Sequence, residues 1–201
     1  MKKIIIFLGV PGSGKGTQAE LIAKKYKYTH ISTGDMLRNL ETKKDINKED
    51  KKELEKMKSG KLVSNRLIYK LIFTEIENNL ARGAGVVLDG VIRSAEQAEK
   101  FQKFFDEKSL SNEVIVIDVS ISDKTSLKRL MYRKANSSQV RLDDNLKIMK
   151  KRIKEQGNEA NRPILFFYEG IGVIKRVNGE RSIEEVHKDV IEILEKYVQK
   201  D

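Results

Sequence analysis

The chain contains no cysteine and no tryptophan, only two histidines (His30 and His187) and only two prolines. Without cysteine there is no disulfide framework, no thiol nucleophile and no thiolate-bound zinc. Two histidines exclude a histidine-rich metal centre, and no serine stands in the motif that a hydrolytic Ser–His pair uses. No apolar run approaches the roughly 18 residues that a membrane span needs. The opening MKKIIIFLGVPGSG places two lysines before an apolar stretch, as a leader would. That stretch is short, and glycine and lysine follow it where a leader has a small-residue cleavage site. It reads as a buried strand, and the expected compartment is the cytoplasm, with no membrane partner.

Charge is abundant. Forty Lys and Arg stand against 30 acidic residues, a net charge of +10 over 201 residues. Such a surplus suits nucleic acid, an anionic membrane or nucleotide phosphates, and composition does not choose among them. The length fits one domain, with room for small insertions and a core of its own.

Apolar runs at Ile4–Leu8, Val86–Leu88, Val114–Val119 and Val173–Val177 read as strands buried on both faces, with a fifth around Thr29–Ile31. Helical stretches follow them at Thr17–Tyr26, Ser94–Phe105, Lys124–Lys134 and Ser182–Val198. This alternation predicts an α/β fold with a five-stranded, mostly parallel sheet flanked by helices. Two regions interrupt it. Residues 34–81 carry apolar positions at helical spacing and predict a helical insertion. Residues 134–140, KANSSQV, have the composition of a turn.

The strongest motif is Gly9-Val-Pro-Gly-Ser-Gly-Lys-Gly-Thr17, set between the first strand and the first helix. Four of the 13 glycines fall in these nine residues. Glycines let the backbone turn its N–H groups toward one phosphate, the helix N-terminus adds positive potential, and Lys15 brings a mobile cation. The general phosphate-loop pattern has Ser or Thr directly after the lysine. Here Gly16 intervenes before Thr17, the form found in nucleoside monophosphate kinases.

From this loop onward the chain resembles the adenylate kinase family over nearly its whole length. Ile31-Ser-Thr-Gly-Asp-Met-Leu-Arg38 resembles the family's monophosphate-binding signature. Gly60-Lys-Leu-Val63 resembles the segment whose backbone lies against the AMP base. Leu88-Asp-Gly-Val-Ile-Arg93 with Gln97 resembles the family's DGFPR…Q segment. Arg129 and Arg133 match its arginine pair before the lid, and Arg141, Asp143, Asp144 and Arg152 match the residues after it. Val177-Asn-Gly179 resembles the loop beneath the ATP adenine, with Arg181 close by.

The resemblance implies a P-loop nucleotide kinase that carries out ATP + AMP ⇌ 2 ADP with Mg²⁺. The implied organisation is a core domain (1–31, 64–132 and 143–201), a helical AMP-binding subdomain (32–63) and a short lid (133–142). It implies ATP, AMP and ADP as the partners of a monomer, with no specific nucleic acid. The lid has no cysteine, so no zinc is expected there. On the ATP side stand Gly12, Ser13, Gly14, Lys15, Gly16, Thr17, Arg129, Arg133 and Arg181. On the AMP side stand Thr33, Arg38, Lys61, Leu62, Val63, Gly90, Arg93, Gln97, Arg141 and Arg152. Asp89 is the expected Mg²⁺ residue, acting through water.

Elementary chemistry supports these roles. Transfer between two nucleotides gathers negative charge, so catalysis is alignment and charge stabilisation. Arginine suits this better than lysine because its planar fork grips two phosphate oxygens. Only 11 of the 40 basic residues are Arg, and six occupy matched positions: 38, 93, 129, 133, 141 and 152. With Lys15, those arginines except Arg38 form the expected catalytic set. Arg38 and Arg93 are assigned to the AMP phosphate, Arg129 and Arg133 to ATP, and Arg141 and Arg152 to the transferring group. No general base is needed if the AMP phosphate is already ionised.

Plainer readings stand beside these. Arg129 and Arg133 also fit a solvated helix face, and Asp89 a strand-end turn. Asp143 or Asp144 fits a helix cap, Thr33 a helix cap and Gln97 a surface position. His30 reads as a strand neighbour and His187 as an exposed helix residue. Thr33 and Gln97 resemble the adenylate branch, whereas related UMP/CMP kinases typically carry Ala and Asn there. Where the family has Phe-Pro, often cis, this chain has Val91-Ile92. A cis bond costs about 3–4 kcal/mol before Ile against about 0.5–1 before Pro. A kinase for UMP, CMP or another monophosphate, and a non-catalytic nucleotide- or RNA-binding relative, therefore remain alternatives.

Overall fold

Five strands run parallel in one sheet in the order β2-β3-β1-β4-β5. They are β1 Ile4–Leu8, β2 Thr29–Ser32, β3 Val86–Asp89, β4 Val114–Ser120 and β5 Ile174–Asn178. The helices are α1 Lys15–Tyr26, α2 Thr33–Glu41, α3 Lys48–Lys58, α4 Asn65–Ala81, α5 Ala95–Glu107, α6 Asp123–Asn136, α7 Leu146–Gln156, α8 Asn158–Gly170 and α9 Ile183–Glu195. This computed structural model describes residues 2–41, 48–58, 64–136 and 146–197.

Alternation along β1 divides the core. Ile4, Ile6 and Leu8 face Ile68, Ile72 and Ile76 of α4, Phe101 and Phe105 of α5, and Ile164 and Tyr168 of α8. Ile5 and Phe7 face Ala19 and Ile22 of α1 and Val186, Val190 and Leu194 of α9. Both faces are covered, which is why β1 reads as an unbroken apolar run. Leu37, Leu54 and Leu67 form a separate small cluster joining α2, α3 and α4.

The expected strands hold, with each strand after β1 ending one residue later than read, at Ser32, Asp89, Ser120 and Asn178. All four pairings are parallel, not merely most of them. The last strand begins at Ile174, because Val173 N–H closes the turn after α8 by donating to the Tyr168 carbonyl. As sheet edges, β2 and β5 are only partly buried, unlike the three central strands. Helix α8 is the element the sequence did not announce. Pro163 lies inside it and Gly157 precedes it, both of which read as breaks. His187 is not a freely exposed helix residue. Its Nδ1 lies 3.1 Å from Gln18 Oε1, tying α9 to α1, and burial pushes its pKa down. Among the described residues no helix is long and apolar enough to cross a membrane.

Tyr168 is fully buried, and its hydroxyl has no hydrogen-bond partner among the described residues. A buried unsatisfied hydroxyl costs about 1–3 kcal/mol. Tyr168→Phe is therefore expected to stabilise the protein by about that amount, read as a higher urea midpoint at unchanged slope.

Candidate active site

In an open parallel sheet, ligands gather beyond the carboxyl ends of the strands where the strand order reverses. Here that point lies at the end of β1, between β3 and β4. The glycine-rich loop leaves β1 there, and Asp89 ends β3 beside it, in register with Phe7.

The loop holds its shape through bonds to its own backbone and to α6. Ser13 N–H donates to the Val10 carbonyl at 3.1 Å, and Lys15 N–H lies 3.4 Å from Ser13 Oγ. From α6, Ser126 Oγ donates to the Pro11 carbonyl at 2.5 Å and Arg129 Nη1 to the Ser13 carbonyl at 3.2 Å. Two of the loop carbonyls are thus taken by α6. Gly14 is the left-handed N-cap of α1, and the amides of that first turn, Lys15, Gly16 and Thr17, have no acceptor within the helix. Together they form a positive cradle for an anion.

Lys15 reaches back over the loop, with Nζ 3.3 Å from the Val10 carbonyl. Burial lowers its ammonium to about 8; Asp89 opposes that shift, while Arg93, Arg152 and Arg133 add to it. Two of the predicted arginines, Arg93 and Arg152, line one cleft with the loop lysine. Gly90, at φ 63°, shows how closely: a Cβ there would lie 3.3 Å from Arg93 Nη2 and 3.8 Å from Lys15 Cε. One cleft joins the loop (Gly9, Pro11, Lys15) to Gly90, Ile92 and Arg93 after β3, and to Arg152, Gln156 and Asn161 from α7 and α8.

Asp89 explains why glycine follows the lysine. A Cβ at Gly16 would stand 3.0 Å from Asp89 Oδ2, so any side chain there would press on the carboxylate. Asp89 Oδ1 is buried and has no hydrogen-bond partner among the described residues. His30, on the neighbouring strand, places Nε2 3.9 Å from Oδ2.

Arg93 is fixed from several sides. Its Nε donates to the Gly90 carbonyl at 2.9 Å and its Nη1 to Gln156 Oε1 at 3.0 Å. Its backbone N–H donates to Gln97 Oε1 at 2.6 Å. Gln97 is no surface residue: it is 4% exposed, and its Nε2 donates to Asn65 Oδ1 at 2.8 Å. Nor does Thr33 cap α2. Ser32 Oγ takes that place, accepting from Asp35 N–H at 3.4 Å, which leaves the buried Thr33 hydroxyl without a partner among the described residues. The Val91–Ile92 peptide is trans, and both side chains are buried in the core.

The remaining predicted residues are less central. Thr17 is exposed on the first turn of α1, and Gly12 lies in the loop against Leu130 of α6. Arg181 is paired with Asp189 of α9. Gly179 packs beside the end of β4, its N–H donating to the Ser120 carbonyl at 2.9 Å. Lys61, Leu62, Val63, Arg141, Asp143 and Asp144 lie outside the described residues, as does the side chain of Arg38 on α2. Sequence reasoning did not find Ser126, Gln156 or Asn65, which carry no motif and act through contacts distant in the chain.

A profile of the adenylate kinase family matches residues 7–173. Adenylate kinase isoenzyme 1 of Gallus gallus is 35% identical over 195 residues, covering 96% of this chain and 95% of its own. The human isoenzyme 1 is 35% identical over 188 residues, covering 94% and 92%. UMP-CMP kinase of Rattus norvegicus is 32% identical over 201 residues, covering 98% and 99%. A phosphate cradle at the switch point of a parallel sheet, cations gathered over it, and likeness along almost the entire length agree: the chain belongs to the adenylate kinase family of nucleoside monophosphate phosphotransferases.

Proposed function

We infer that the protein catalyses reversible, Mg²⁺-dependent transfer of the terminal phosphoryl group of ATP to AMP, yielding two ADP. The observation that carries this reading is the single cleft that Lys15 of the glycine-rich loop shares with Arg93 and Arg152. Cations gathered in one cleft favour a polyanionic ligand. Two phosphorylated nucleotides meeting head to head supply that charge.

In this reading the loop amides and Lys15 hold the ATP phosphates, with Arg129 and Arg133 beside them. Arg93 and Arg38 hold the AMP phosphate. Arg141 and Arg152 stabilise charge on the transferring group, in a site that fixed cations preorganise. The AMP phosphate attacks in its ionised form, so no residue need remove a proton. Closure of the short lid at 133–142 over the phosphates would exclude the water that turns transfer into hydrolysis.

The site fits Mg²⁺ carried by the nucleotide. Asp89 offers a buried oxygen beside the loop that has no partner among the described residues, suited to holding the ion's water shell. Among the described residues there is no cluster of three or more His, Asp or Glu that would form a protein cage for a metal. Mg²⁺ held through water by Asp89 would supply neutralising positive charge to the phosphates during transfer.

Thr33 and Gln97 favour AMP over pyrimidine monophosphates. Thr33 keeps a buried hydroxyl without a partner among the described residues, and Gln97 presents an amide that both donates and accepts. The reading includes a monomer acting on free nucleotides in the cytoplasm. Supplied with ADP and Mg²⁺ alone, the protein is expected to form ATP and AMP in equal amounts. Release of inorganic phosphate without ATP, or no change in ADP, would overturn the assignment.

A further inference from the structure

The geometry points to Asn65 as a positioning residue that sets how Gln97 presents its amide to the nucleobase. This rests on the proposed reading in which Gln97 faces the base of the monophosphate.

A backbone N–H can only donate. The Arg93 N–H lies 2.6 Å from one end of the Gln97 amide, so that end is the oxygen. The other end is then the NH₂ group, and the Asn65 atom 2.8 Å from it must be the acceptor Oδ1. The orientation of both amides thus follows from one main-chain donor. With the oxygen end and the nitrogen end both held, Gln97 has one N–H and one lone pair left, in a fixed order. Adenine presents an amino donor beside a ring-nitrogen acceptor. Guanine and uracil present the reverse order, a carbonyl acceptor beside a ring N–H donor. An amide locked in one order reads the first pattern and opposes the second.

Asn65 is itself held. It is the first residue of α4, directly after Ser64, whose side chain makes no cap to that helix. Glu53 of α3 supplies the cap instead, its Oε2 accepting from Ser64 N–H at 2.6 Å. Glu53 is 8% exposed, and Asp50, 4% exposed and one turn earlier, lies 3.6 Å from Arg66 and 4.0 Å from Lys70 of α4. Buried carboxylates of α3 therefore anchor the first turn of α4, and Asn65 passes that rigidity to Gln97. Gln97 is also joined through Arg93 N–H to the segment carrying the phosphate-binding guanidinium. Base reading and phosphate reading share one short chain of hydrogen bonds.

The test compares Asn65→Leu, which removes the acceptor, with Asn65→Asp, which keeps it and suits a first helical turn. Turnover of AMP, GMP, UMP and CMP is measured with MgATP, alongside thermal stability. Asn65→Leu is expected to lower kcat/KM for the preferred monophosphate by about three- to tenfold, the worth of one hydrogen bond. Its preference over the monophosphates of reversed pattern should shrink by a similar factor, with KM for ATP unchanged. Asn65→Asp should retain the preference. In a Gln97→Leu background, Asn65→Leu should have no further effect on preference, because its target is gone.

A Leu variant that loses stability but keeps the full preference overturns the proposal, since that is the mark of a structural role. So does an Asp variant as impaired as the Leu variant, or an effect of equal size in the Gln97→Leu background. If the wild type prefers a monophosphate other than AMP, the proposed function fails separately. The Asn65 test still stands if that monophosphate is CMP, whose base has adenine's order of amino donor and ring-nitrogen acceptor, whereas a preference for GMP or UMP overturns the proposal as well.

Discussion

Lys15→Met is expected to lower kcat for phosphoryl transfer by about 10²–10³-fold, the usual cost of removing one preorganised electrostatic group, while making the nucleotide-free protein more stable. Both effects have one cause. The ammonium is held where burial and three arginines oppose its charge, so its pKa falls from 10.5 to about 8. Because the folded value lies below the unfolded one, the unfolded chain holds the extra proton between pH 8 and 10.5. Stability of the nucleotide-free wild type should therefore rise with pH across that window, and below pH 8 the penalty is present in full. Discounted for the partial exposure of the side chain, the penalty is on the order of 1–3 kcal/mol. Met keeps the length and removes the charge, so the variant should gain roughly that stability and lose the slope. ATP binding by the wild type should weaken as pH rises through 8, as the cation that meets the phosphates is lost. Urea unfolding at pH 7 and pH 10, with initial rates, reads both halves. A Met variant that is less stable than wild type and still fast would remove Lys15 from the site.

Arg93→Lys is the second large effect. The charge remains, yet kcat/KM for the monophosphate is expected to fall by roughly 30–100-fold, because the planar fork is lost. Arg93 spends Nε on the Gly90 carbonyl and Nη1 on Gln156, which hold the guanidinium plane in place over the cleft. A lysine cannot reproduce that geometry and would be free to turn away. In the proposed reading Arg93 and Gln97 serve the monophosphate side, so KM for AMP should rise well above any change for ATP. Equal changes in both would mean that Arg93 serves the ATP side as well.

These effects trace to features that the sequence displays unevenly. Ile4–Leu8 followed by a glycine-rich turn needs both sheet faces covered and a helix after the turn, and the structure has both, with the helix beginning at Lys15 rather than the expected Thr17. The six arginines could be picked out because they stand at positions that match the family the chain resembles, and phosphate recognition prefers arginine to lysine. Helix α8 stayed hidden because Gly157 and Pro163 act locally as breakers, while packing of Ile164 and Tyr168 on the sheet sustains the helix. The supporting polar residues were hidden for a different reason. Gln156 meets Arg93 across 63 positions, Asn65 meets Gln97 across 32, and Ser126 meets Pro11 across 115. No local pattern marks such pairs; only the crossover topology brings them together.

The alternatives to the cap at Thr33 and to a surface Gln97 also turned on tertiary packing. Ser32 and Thr33 are equally good caps by composition. The chain placed Ser32 on the α2 amide and left the buried Thr33 hydroxyl without a partner among the described residues. That arrangement supports the proposed role of Thr33 as a ligand contact over a structural cap.

The most direct measurement is turnover of MgATP with AMP, GMP, CMP and UMP in parallel, following ADP and the matching diphosphate. The account predicts rapid formation of two ADP for each AMP consumed, with AMP preferred over the other three. Absence of turnover with AMP, or a clear preference for CMP or UMP, would contradict it.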